Sequence, residues 1–90
     1  MAQYRERVMP MGSISLLELK AGEEATVTSV DLEEPQKHRL EELGIVPGSR
    51  ICVVHIAPSG SPTAYYIKGT VVALRSTDTN MIQVNMNEVC

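Results

Sequence analysis

The chain has 90 residues, 43% of them hydrophobic and 21% charged, with a net charge of −3 at pH 7. That length allows one small domain with a thin core, and the composition is that of a globular chain rather than a disordered one. The negative excess lies between Asp31 and Glu42, where five acids face only Lys37 and Arg39, and no basic stripe exists to neutralise a nucleic-acid backbone.

With three Tyr and neither Phe nor Trp, the core must be aliphatic. Cys52 and Cys90 form no C-x-x-C pair, which leads us to expect reduced thiols in a cytoplasmic protein. The N-terminus has no apolar signal core, and no run approaches the length of a membrane span. The expected location is therefore the cytoplasm, with no membrane-embedded part.

Residues 1–11 read as a flexible tail, residues 12–87 as the folded domain and residues 88–90 as its C-terminal end. Ser13 to Leu19 (SISLLEL) predicts a short helix capped by Ser13 or Ser15 and ended by Gly22. EATVTSV (24–30) alternates as a strand does. Pro35 predicts the first residue of a helix through Leu43, with Leu40 and Leu43 on a narrow buried stripe. Glu34, His38, Glu41 and Glu42 fall on its opposite, solvated side.

LGIVPG then stops that helix. Gly44 occupies the left-handed position after the last turn, and Val46-Pro47-Gly48-Ser49 spells a type II turn. The chain enters a strand, RICVVHIA (50–57), at once. Strict alternation would put Cys52, Val54 and Ile56 on one face and Ile51, Val53 and His55 on the other. Beyond the PSGSP turn come TAYYI (63–67) and TVVALR (70–75), a polar turn STDTN (76–80), and MIQVNM (81–86) with Ile82, Val84 and Met86 inward. About five short strands with one or two short helices predict a mainly β fold, a small and partly open barrel.

Three segments carry a family resemblance: LLELKAGEEATV (16–27), HRLEELGIVPGSRICVV (38–54) and GTVVALRSTDTNMIQV (69–84). In this order they resemble the FeoA family, small cytoplasmic proteins of bacterial ferrous-iron uptake, over roughly residues 13–86. The resemblance implies an SH3-like barrel. It also implies a non-enzymatic accessory role on the cytosolic, GTP-binding part of FeoB, the membrane permease for Fe²⁺. The same fold serves as a regulatory module in metal-dependent repressors, but this chain has no helix-turn-helix.

The alternative function is a transition-metal-binding regulatory domain, sensing or carrying iron. Its candidate ligands are Glu34, His38 and Glu42, which recur every four residues on one helix face and could meet Fe²⁺ or another divalent ion. The same spacing equally describes a solvated face of i,i+4 pairs. Cys52 and His55 alternate onto opposite strand faces, so they cannot chelate together unless a bulge intervenes, and Cys52 reads as core. Because strand 50–57 is apolar on both sides, its second face needs either a covering helix or a partner. The candidate contact is Ile51, Val53 and His55 with Tyr65 or Tyr66, and a second copy of the chain is another occupant for it. No serine or histidine is spaced for nucleophilic catalysis. An arginine finger toward a GTPase, from Arg50 or Arg75, competes with the ordinary reading of solvated strand ends.

Overall fold

The computed structural model describes residues 13–89; the expected tail over residues 1–11 lies outside that range. Six strands form one antiparallel sheet: β1 (Ser13–Ser15), β2 (Glu23–Val30), β3 (Arg50–Ile56), β4 (Thr63–Ile67), β5 (Thr70–Leu74) and β6 (Ile82–Val89). Their order across the sheet is β1-β6-β2-β3-β4-β5. A 3₁₀ turn (Leu16–Glu18) follows β1, helix α1 (Gln36–Glu42) joins β2 to β3, and a single turn α2 (Ser76–Thr79) joins β5 to β6. The end strands β1 and β5 do not pair, so the sheet curls into a barrel that stays partly open.

The helix expected over 13–19 is not there. Ile14 is instead drawn into the ladder opposite Val84, as part of a three-residue strand. Ser15 caps the 3₁₀ turn that follows, accepting the Leu17 N–H at 3.1 Å and donating to the Thr79 carbonyl at 3.2 Å. Residues three apart eclipse one another in a 3₁₀ turn, so Leu16 and Leu19 both reach the core while Leu17 stays exposed. The expected helix and the observed turn bury the same leucines, but only the turn leaves β1 free to pair.

Helix α1 begins one residue later than expected, at Gln36, with Pro35 in the capping position. A proline side chain accepts no hydrogen bond, and Glu34 takes that role: its Oε1 receives the His38 N–H at 3.1 Å. The far end matches the sequence pattern closely. Gly44 has φ +95°, its N–H bonds the Glu41 carbonyl at 2.9 Å, and the Ile45 N–H bonds the Leu40 carbonyl at 2.9 Å. That pair of bonds is the Schellman stop.

The type II turn follows, with the Ser49 N–H on the Val46 carbonyl at 3.0 Å and Gly48 at φ +96°. Ser49 Oγ donates back to the Gly44 carbonyl at 2.7 Å, closing the corner. Reciprocal bonds of 2.7 and 2.8 Å then hook Gly48 and Ser49 onto Val27 of β2. One short sequence thus stops a helix, turns the chain and starts β3 beside β2.

The core is aliphatic with one tyrosine: Leu16, Ile45, Ile51, Val53, Ile67, Ile82 and Val84 are buried around Tyr65. The Tyr65 hydroxyl bonds the side chains of Thr79 and Thr63, both also buried, which ties α2 to β4. Burial raises the Tyr65 pKa above the ordinary tyrosine value, with the two threonine hydrogen bonds working in the opposite direction. On β6, Ile82 and Val84 point inward as expected, but Met86 is 40% exposed although its ladder partner is the buried Ala25.

Candidate interaction surface

Strand β3 departs from strict alternation at one place. Val53 pairs with Tyr65, but the next pair is His55 with Ala64, so Val54 is an extra residue in the ladder. A bulge of this kind breaks the two-residue period. Ile51 and Val53 therefore point into the core, Val54 and His55 both turn out, and Ile56 packs back against the core. This corrects the candidate contact surface: Ile51, Val53 and Tyr65 are each about 1% exposed and are not available to a partner. Of that group, His55 and Tyr66 are exposed.

What takes their place is the outer face of the β3–β4–β5 meander. Two ladder rows cross it, Cys52–Tyr66–Val71 and His55–Ala64–Ala73. Val54 and Tyr66 are each 49% exposed and Val71 is 57% exposed. The two-stranded part of this face, β4 and β5, pairs without irregularity across all five positions. The result is a sheet face with three large apolar side chains standing on it. An aromatic ring beside β-branched neighbours on a fixed sheet loses little rotamer freedom when covered, which suits it to protein contact. Taking Cys52, Val54 and Ile56 as the inner set of β3 misses Val54, whereas the alternation of Tyr65 and Tyr66 and the unbroken period of β5, with Val71 out and Leu74 in, are the signals that point to this face.

Cys52 sits at the edge of the platform, half-buried, on the same side as His55 because of the bulge. It is disulfide-bonded, which corrects the expectation of a reduced core thiol and removes it as a metal ligand. The chain's other cysteine, Cys90, lies outside the described residues.

The second candidate group is the exposed face of α1. His38 Nε2 stands 3.3 Å from Glu42 Oε2, and its Nδ1 stands 3.8 Å from Glu41 Oε1. Glu34 is drawn aside, since its carboxylate serves the His38 backbone. His38 and Glu42 are thus together and Glu34 is apart from them. Among the described residues no three His, Cys, Asp or Glu side chains gather closely enough to hold a metal ion. No helix among them is long and apolar enough to cross a membrane.

Comparison with known proteins agrees with this architecture. The FeoA domain family matches residues 14–86. A Porphyromonas gingivalis Fe(2+) transport protein A/Fe(2+) transporter FeoB fusion protein is 35% identical over 71 residues, 79% of this chain but 8% of that protein's length. The solution structure of the FeoA protein from Chlorobium tepidum superposes with a TM-score of 0.77 and 37% identity, covering 81% of this chain and 70% of that one. The crystal structure of Stenotrophomonas maltophilia FeoA complexed with zinc, a procaryotic SH3 domain protein, superposes with a TM-score of 0.69 and 33% identity, over 80% and 89% of the two chains. By family match, identity and SH3-like barrel alike, this chain belongs to the FeoA family, which is associated with ferrous iron transport.

Proposed function

We propose that this chain is a non-enzymatic cytoplasmic adaptor of bacterial ferrous-iron uptake, which docks on the cytosolic GTP-binding part of a FeoB-type permease. The observation that carries this reading is the fusion relative, in which a related transport protein A is covalently joined to a FeoB transporter. Joining two units in one chain raises their effective concentration, which is useful when the separate parts work in contact. The platform of Val54, Tyr66 and Val71 supports the reading by offering a built surface for such a contact.

Titration of the labelled protein with the soluble GTP-binding part of the permease should shift the amide signals of Val54, His55, Tyr66 and Val71. Tyr66→Ala combined with Val71→Ala should weaken that binding at least tenfold while leaving the fold intact, as expected for hot-spot truncation costing about 1–2 kcal/mol. Equal affinity of the double variant and the parent would exclude this face, and no binding by either would exclude the adaptor role.

A second reading, as a divalent transition-metal carrier or sensor, is favoured by the His38–Glu42 pair and by the zinc bound to the Stenotrophomonas maltophilia relative. Two donors 3.3 Å apart have the separation of neighbouring ligands on one ion, whose bonds are about 2.0–2.2 Å long. Among the described residues one chain gathers no third ligand beside this pair, so the remaining ligands would come from water or a second molecule. Anaerobic calorimetry with Fe²⁺ should then show weak binding that His38→Ala abolishes; heat unchanged by that substitution would dismiss the pair.

A further inference from the structure

We propose that the groove between α1 and the free edge of β5 binds an extended acidic segment of a partner protein, anchored by a carboxylate between Arg39 and Arg75. The groove has a volume of about 120 Å³, with Arg39, Leu40 and Leu43 on one wall and Ala73, Leu74 and Arg75 on the other. Gln36 and the single acid Asp78 complete it, so positive charge is in excess there although the whole chain is negative. Both arginines are exposed, and among the described residues neither side chain makes a hydrogen bond or an ion pair. An acidic helix that leaves its own arginine unpaired keeps that guanidinium available for a carboxylate from elsewhere.

The second observation is the strand that forms the other wall. Among the described residues β5 ends the sheet, and its sequence TVVAL has no charge and no proline. Its register with β4 is regular, with no bulge to twist the edge away. Natural edges are usually blunted by one of these devices, and an edge lacking all of them is a template for an added strand. An incoming segment would pair its backbone with β5, set an apolar side chain against Leu40 and Leu43, and place one carboxylate in reach of the planar guanidinium forks. The volume suits one anchoring side chain rather than a folded element. This site meets the outer-face platform only at Ala73, and it does not depend on the identity of the permease partner.

The test uses two end-blocked peptides of alternating threonine and valine, one with a central glutamate and one with a central lysine. Each is titrated into the isotope-labelled full chain and followed by NMR. The glutamate peptide should shift the amides of Ala73, Leu74 and Arg75 and the side-chain N–H signals of Arg39 and Arg75, and the lysine peptide should not. Arg39→Glu and Arg75→Glu should each weaken the glutamate peptide roughly fivefold or more, whereas Arg50→Glu, outside the groove, should leave it unchanged. Equal shifts from both peptides, shifts away from the groove, or none at high peptide excess would each overturn the assignment. So would sedimentation showing a dimer that Arg39→Glu dissociates, because the occupant would then be a second copy. Failure of the peptides leaves the permease docking face standing, since that titration reads different resonances.

Discussion

Ile51→Ala should destabilise the protein by about 3 kcal/mol, whereas Val54→Ala, three positions further along the same strand, should change stability by less than about 0.5 kcal/mol. Ile51 is buried opposite Ala25, whose single methyl group cannot reach into the space vacated. The cost is therefore lost transfer energy plus most of a cavity. A domain of this size is expected to have a net stability of about 5 kcal/mol, so the Ile51 variant would keep less than half of it. Val54 is half exposed on the outer face, and its methyl groups leave mostly water behind. Denaturant melts of the two variants decide the matter. A larger loss at Val54 than at Ile51 would mean that the strand is turned inside out and the bulge misplaced.

The second large effect belongs to Gly44. Gly44→Val should cost about 2–3 kcal/mol, mainly because φ +95° lies in the left-handed region, where a β-branched side chain is most strained. A neighbour adds to the cost. A Cβ at this position would lie 2.7 Å from Lys68 Cδ and 3.1 Å from Lys68 Cε, in the turn between β4 and β5. Those atoms are the flexible end of a side chain and can move aside, so strain in the backbone dominates. Gly48 supplies the control, since it has φ +96° and open space around its Cα. Gly44→Ala should exceed Gly48→Ala in cost by only a few tenths of a kcal/mol, and Lys68→Gly should remove that difference. Thermal melts of these variants, with Gly44→Ala and Gly48→Ala repeated in the Lys68→Gly background, measure both contributions. A Gly44→Val protein as stable as the parent would show that the helix does not end in a Schellman stop.

These two residues also mark where reading the chain succeeds and where it stops. The helix end, the type II turn and the entry into β3 are local matters: each is decided by the allowed backbone angles of a few adjacent residues. Gly44, Pro47 and Gly48 carry that information themselves, and so the corner was legible. The segment Ser13–Leu19 looked helical for the same local reasons. Its fate was settled elsewhere, by the ladder of Val84 and by the Thr79 carbonyl that Ser15 reaches. A three-residue strand has no periodicity to recognise.

The functional surface shows the same division more sharply. The acidic character of α1 follows from composition and period alone, and its residues are exposed as the period demands. Which apolar residues of β3 face water does not follow, because a single inserted ladder position exchanges the faces of everything beyond it. That position is set by how Val53 and His55 find partners on β4, a choice made between strands and invisible along one of them. Likewise, Arg39 and Arg75 are far apart in the chain, and only the closing of the barrel makes them walls of one groove. By itself the sequence carried the family resemblance in three matching segments, and through local backbone preference it determined the strand count to within one and the corner. Tertiary structure alone decided which residues of β3 join the exposed platform and which segments wall the cationic groove, since both arise from pairing between segments whose register no single segment encodes.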